Sequence, residues 1–169
     1  MIKDNPPQQP RLVRDLMTVG VLSCSPETSI KTLAQAILEK DVEAVVVLDL
    51  EGHAVGYVSQ DELVRAYAHG NYDSLQAQDI MQDGIPKVPP DIPIGAAAQL
   101  MQDQGVRFFY LTHHAGGIEY PAAFISYKHF LRHIQSDSVE ELTDLGIDAA
   151  RKAPLESFVE RRDANRNRD

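Results

Sequence analysis

Asp15-Leu16-Met17-Thr18-Val19-Gly20 returns along the chain as Asp79-Ile80-Met81-Gln82-Asp83-Gly84, a shift of 64 positions. The same shift carries Pro26 to Pro90, Ile30 to Ile94, Ala34 to Ala98 and Val42 to Val106. Chance pairing rarely keeps such spacing over so long a stretch, so the chain is read as one unit written twice. Further on, Ser59 and Ser126 each close a strand-like run and open a helix-like one, now 67 positions apart. The second copy therefore carries about three extra residues between these landmarks. They are placed in a loop over His113-His114-Ala115-Gly116-Gly117, where glycine favours a turn.

Both copies read in one order. A short strand over 21–24 precedes a helix over 28–40, with Thr28 as the expected N-cap. Ile30, Leu33, Ala34, Ile37 and Leu38 keep the 3, 4 spacing of a buried stripe. Pro93 falls in the matching first turn of the second helix, where proline is tolerated. Ala44-Val45-Val46-Val47-Leu48 is a β-branched run without alternation, which fits a strand buried on both faces. Strand 54–58 and helix 60–68 follow, mirrored by 107–111, 122–125 and 127–134. The expected fold class is α/β, two β-α-β-β-α units in tandem. The expected division is a flexible arm over 1–10, units over 11–72 and 73–135, and a helical extension with a polar tail over 136–169. That extension carries a capping-box pattern at Ser138–Glu141 and an apolar stripe of Leu142, Leu145, Phe158 and Val159.

Composition narrows the function. The chain has 169 residues, 43% apolar and 24% charged, as expected for a globular protein with a real core. A net charge of −9, from 25 acidic and 16 basic side chains, argues against a nucleic-acid-binding face. No run of about 18 apolar residues offers a transmembrane helix. The opening MIKDNPPQQP lacks the apolar core of a signal peptide, so a cytoplasmic location is expected. The lone Cys24 leaves no internal disulfide and reads as a small strand hydrophobe rather than a nucleophile. No nucleophile elbow or phosphate loop occurs, and no acid–base pair is visible, so no enzyme is expected. His129 and His133, with His113 and His114, are the weak case for a metal; a solvated helix face is the better reading of them.

Taken in order, D-[LI]-M, a proline turn, a helix, a hydrophobic strand, and a glycine-apolar-apolar-serine strand end opening a second helix resemble a cystathionine-β-synthase (CBS) domain. Two in tandem resemble a Bateman module, and the resemblance spans residues 11–134. It implies two pseudo-symmetric β-α-β-β-α units packed through their sheets into a disc, often homodimeric, that binds adenine nucleotides in clefts between its units for regulation. AMP, ADP, ATP and S-adenosylmethionine are the candidate ligands, and an unknown effector protein the candidate recipient of the signal.

The resemblance also implies a ribose and phosphate signature. In the first copy it falls on Gly56-Tyr57-Val58-Ser59-Gln60-Asp61-Glu62. The glycine permits close backbone approach. The serine stands at a helix N-terminus, which favours phosphate. Glu62 occupies the family's Asp position, with Asp61 one residue early, and a carboxylate there can accept from ribose hydroxyls. Ser59-x-x-Glu62 is equally a capping box that needs no ligand. In the second copy alanine replaces the glycine, and Ser126 is followed by Lys128 and by His129, which cannot accept two ribose bonds. That half-site is expected to be empty or to take something else. Arg107 and Lys128 are candidates for phosphate, or else solvated charges. Val21, Ala44, Val45 and Tyr57 are candidates for the adenine face, or else ordinary core. The rival function is a ligand-free interaction scaffold acting through the unit pair and the C-terminal stripe.

Overall fold

The computed structural model describes residues 10–135, and shows what the two Asp-(Leu/Ile)-Met segments do. Each makes a single helical turn, α1 (Val13–Leu16) and α4 (Ala77–Ile80). The motif's aspartate caps its own turn: Asp15 Oδ2 accepts from the Leu12 N–H at 2.8 Å, and Asp79 Oδ2 from the Gln76 N–H at 2.8 Å. The apolar residues of each turn pack into the unit belonging to the other repeat. Val13 and Leu16 pack with Val88, Ala97, Met101, Phe109, Leu111, Ala123 and Ile125. Ala77, Ile80 and Met81 pack with Leu33, Ile37, Val45, Val47 and Val58. Backbone bonds fix the exchange from both sides: Val13 N–H to the Ile92 carbonyl at 3.0 Å, and Ala77 N–H to the Thr28 carbonyl at 2.8 Å. The sequence repeats and the packed units are therefore different sets of residues.

The strands continue the exchange. One sheet runs β2-β3-β4-β5, where β2 is Ser23–Cys24, β3 Ala44–Leu48, β4 Ala54–Ser59 and β5 Gln82–Asp83. The other runs β1-β7-β6, where β1 is Thr18–Val19, β6 Phe108–Ala115 and β7 Ile118–Ser126. Thus β1 pairs antiparallel with β7 of the later repeat, and β5 with β4 of the earlier one. The sheets face each other across Val21, Ala44, Val46, Phe108 and Tyr110. On the outer side of the first, Val45 and Val47 meet the helix α2 (Ile30–Lys40); on that of the second, Phe109 and Leu111 meet α5 (Ile94–Gln104). Period-two side chains with both faces covered explain why β3 shows no polar alternation. Tyr57, Phe108 and Tyr110 stack edge to face through the centre, with ring centroids 5.3 and 5.5 Å apart.

Local details differ from expectation where hydrogen bonding decides. The N-cap of α2 is Ser29, not Thr28: its Oγ accepts from the Thr32 N–H at 3.2 Å. Pro93 stands at the cap of α5 rather than inside its first turn. His113, His114 and Ala115 are strand, not loop, so the extra residues of the second copy lengthen a hairpin. Only Gly116 and Gly117 turn, at φ 59° and 80°, the two left-handed positions of a tight hairpin. Helices α3 (Gln60–His69) and α6 (Tyr127–Gln135) complete the two units. Residues 1–9 and the extension over 136–169 lie outside the described residues.

Candidate functional site

Two clefts open where a strand end and helix start of one unit face the other unit. The first, about 310 Å³, lies beside Ser59 and is lined by Tyr57, Gln60, Asp61, Glu62 and Arg65 from β4 and α3. Gln82 joins them from β5 of the same sheet, Gly105 to Phe108 with Arg107 close it from the facing unit, and Glu43 borders it as well. The second, about 470 Å³, lies beside Ser126. Phe124, Lys128, His129 and Arg132 line it from β7 and α6, and Lys40 to Glu43 at the end of α2 face them, with Thr18 and Val21. The clefts are related by the repeat. The 67-residue shift takes Arg65 to Arg132 and Asp61 to Lys128, and the 64-residue shift takes Thr18 to Gln82. The backbone repeats as well: Gln60 N–H donates to the Glu43 carbonyl at 3.3 Å, and Tyr127 N–H to the Arg107 carbonyl at 3.1 Å.

At the first cleft, Glu62 is buried and closes a capping box. Its Oε2 accepts from the Ser59 N–H at 2.9 Å and from the Ser59 hydroxyl, while Oε1 faces the Arg65 guanidinium at 4.0 Å. The capping role is thus formed within the chain, with the second carboxylate oxygen on the Arg65 side. Tyr57 loses hydration in the packed centre and sits near Glu62 and Asp61, and both effects raise its pKa. The lining charges are Glu43, Asp61 and Glu62 against Arg65 and Arg107, an acidic balance.

At the second cleft, His129 does with a ring nitrogen what Glu62 does with an oxygen. Its Nδ1 accepts from the Ser126 N–H at 2.9 Å, with the Ser126 hydroxyl at 3.1 Å. An accepting Nδ1 leaves the proton on Nε2, which donates to Thr18 Oγ1 at 2.8 Å. The imidazole is 5% exposed, and the Phe124 ring stands edge-on at 5.5 Å. Burial first, then the nearby Arg132 charge, pushes its pKa down to about 4, so it is neutral at physiological pH. Lys128 bonds the Asp41 carboxylate and lies 3.3 Å from the Asp41 carbonyl, joining α6 to the end of α2 across the cleft. The Lys128 bond and charge, with a smaller contribution from Arg132, hold the Asp41 carboxyl below its usual range.

The residues singled out from sequence therefore divide. Tyr57, Ser59, Asp61, Glu62 and Arg107 meet at the first cleft; Val21, Ser126, Lys128 and His129 border the second. Ala44 and Val45 border neither, because a strand covered on both faces directs one side chain between the sheets and the next under α2. Gly56 also faces away from the clefts. What approaches it is β5: a Cβ there would stand 2.4 Å from the Gln82 carbonyl oxygen. Arg65, Gln82, Thr18, Lys40, Asp41 and Arg132 were not singled out; the repeat shifts that pair Arg65 with Arg132 and Thr18 with Gln82 were a signal for those four, and Lys40 and Asp41 carried none. Cys24 is half-buried with its pKa raised to about 11 by burial, so it is a thiol at neutral pH. Among the described residues, the grouping with metal-ligand spacing is Asp49, Glu51 and His53 in the β3–β4 turn, not the four histidines weighed from sequence. There Asp49 Oδ1 accepts the Glu51 and His53 N–H groups at 2.9 Å each. No helix of the described residues is long and apolar enough to cross a membrane.

Two α/β units, strand-exchanged and paired through their sheets with a cleft at each helix start, define a tandem α/β domain-pair architecture. The chain belongs to the CBS-domain family: the CBS domain model matches residues 13–69 and 77–136. Solved structures share the fold at low identity. An uncharacterized conserved protein from Pyrococcus horikoshii superposes with a TM-score of 0.66 at 19% identity, over 78% of this chain and 97% of that one. The CBS-domain pair of protein MJ0100, in complex with 5′-methylthioadenosine and S-adenosyl-L-methionine, gives 0.65 at 16%, over 75% and 97%. The CBS-domain protein ATU1752 from Agrobacterium tumefaciens gives 0.65 at 20%, over 75% and 96%. Among curated proteins, an uncharacterized protein of Methanopyrus kandleri is 28% identical over 89 residues, which cover 52% of this chain and 45% of that relative. The matched stretch is thus less than half of that relative's length.

Proposed function

We propose that this chain is a non-catalytic regulatory module that binds an adenosine-containing ligand in the clefts between its units. Occupancy is passed on as a change in how the units pack. The observation that carries this reading is the pair of clefts itself: each is bounded by both units, so a ligand there touches two bodies whose relative placement it can bias. The adenosyl ligands in the MJ0100 pair support the ligand class. In the first cleft, Ser59, Asp61 and Glu62 take the ribose side, and Tyr57 offers its ring to the base.

Thermal melting with AMP, ADP, ATP, 5′-methylthioadenosine and S-adenosylmethionine tests this. A ligand at 100 times its dissociation constant adds about 2.7 kcal/mol of stability. Glu62→Ala is expected to remove the S-adenosylmethionine shift while the variant still melts cooperatively. If no member of the panel moves the midpoint, the ligand reading fails and the interaction reading replaces it.

One observation favours that second reading. Val64 and Tyr67 on α3 and Leu131 and Ile134 on α6 are exposed apolar side chains at equivalent positions of the repeat, Tyr67 at 68% and Ile134 at 77%. Two matching apolar faces suit a second copy of this chain docked about a two-fold axis. The mass of the full chain in solution, with and without Leu131→Glu, measures it; a wild-type monomer removes the reading.

A further inference from the structure

The repeat that makes the clefts alike in shape leaves them opposite in charge. Position 61 is aspartate in the first cleft, and its counterpart 128 is lysine in the second. The capping residue is the carboxylate Glu62 in one and the uncharged His129 in the other. Three cations, Lys40, Lys128 and Arg132, border the second cleft against Asp41 and Glu43; the first has three carboxylates against Arg65 and Arg107. The cations of the second cleft act on shared neighbours: Lys128 bonds Asp41, and Arg132 bears on both Asp41 and His129.

Resting on the ligand-binding reading above, we propose that the second cleft, the one without the ribose carboxylate, is the anion-accepting half of the pair. It takes the phosphate of a phosphorylated adenosine on Lys128, Arg132 and Lys40, and the Asp41 carboxylate is its built-in competitor. Lys128 cannot give its ammonium fully to both anions, so phosphate binding loosens the contact that joins α6 to the end of α2. The first cleft repels phosphate by the same arithmetic of charge, and suits an adenosyl ligand that is neutral or cationic.

Asp41 offers a substitution that leaves the fold in place. It sits in the left-handed region at φ 51° as the C-cap of α2, where asparagine is at home. Calorimetry of the full chain with AMP and with adenosine is the test. Asp41→Asn is expected to tighten AMP about fivefold by removing the competing charge, with adenosine unchanged. Lys128→Gln is expected to weaken AMP about tenfold. Raising salt from about 0.05 to about 0.5 M should weaken AMP and spare adenosine. Asp91→Asn removes an exposed carboxylate that borders neither cleft, and as the control it should leave AMP within about twofold. AMP binding that Lys128→Gln and Asp41→Asn leave unmoved overturns the assignment, as does AMP binding that Glu62→Ala abolishes instead. Binding of S-adenosylmethionine or adenosine with no binding of AMP overturns this inference alone. Failure of every adenosine compound to bind overturns it together with the ligand reading.

Discussion

Lowering the pH should destabilise this protein through His129 before its carboxylates titrate. In the folded chain the imidazole is enclosed, accepts the Ser126 N–H at Nδ1, donates to Thr18 from Nε2, and stands near Arg132. A proton arriving at Nδ1 would meet a hydrogen-bond donor already in place and a charge with little water around it. The folded pKa is about 4, against 6.5 for an unfolded histidine. Between those values the unfolded chain binds more protons than the folded one, so stability is full above the upper value and falls as pH drops toward the lower. The gap of about 2.5 units, at 1.36 kcal/mol each, sets the loss at about 3 kcal/mol in all, with about 2 kcal/mol gone by about pH 5. That is a large fraction of the 5–15 kcal/mol expected of a domain. Urea unfolding from about pH 7.5 to about pH 5 measures it, with His129→Gln as the non-titrating reference. Asp41, Asp49 and Glu119, whose pKa values are lowered by their own partners, lose stability at still lower pH and cancel in the difference between the two proteins. The advantage of wild type over the variant should shrink by about 2 kcal/mol across that range. A difference that stays constant refutes the reasoning, and so does an imidazole proton signal of His129 that titrates near pH 6.5.

Two further outcomes follow from packing. Gly56→Ala drives a methyl to within 2.4 Å of the Gln82 carbonyl, which is backbone and cannot swing aside; a loss of about 1–3 kcal/mol in urea unfolding is expected, and a neutral result would show that β5 does not press on β4. Phe109→Ala empties a fully buried site between β6 and the exchanged α1, and should cost about 3–5 kcal/mol with increased hydrogen exchange at Val13 and Leu16; unchanged protection there would contradict the exchange of segments between units.

The amino-acid sequence by itself determined the duplication, the order of elements in each copy and most of their bounds. These are local matters: a repeat is spacing, an amphipathic helix is a 3.6-residue period, and a strand covered on both faces is an apolar run such as 44–48. It also marked Ser59 and Ser126 as helix starts, because each follows a strand-like run and opens a helix-like one, and at Ser59 the four-residue capping pattern with Glu62 adds to that. What only the tertiary structure decided is where each copy's opening segment goes. Asp15-Leu16-Met17 has the same local form whether it packs at home or abroad, and only the pairing of β1 with β7 sends it to the other unit. That exchange places Thr18 against His129, 111 residues away, and Gln82 against Gly56 and Tyr57. It also separates the candidate residues into two clefts of opposite charge, since Asp61 and Lys128, or Glu62 and His129, share a position in the repeat but not a neighbourhood in space. The period of a chain shows which face a residue takes; the company it keeps there is set by contacts made across long separations in the sequence, and those belong to the folded state.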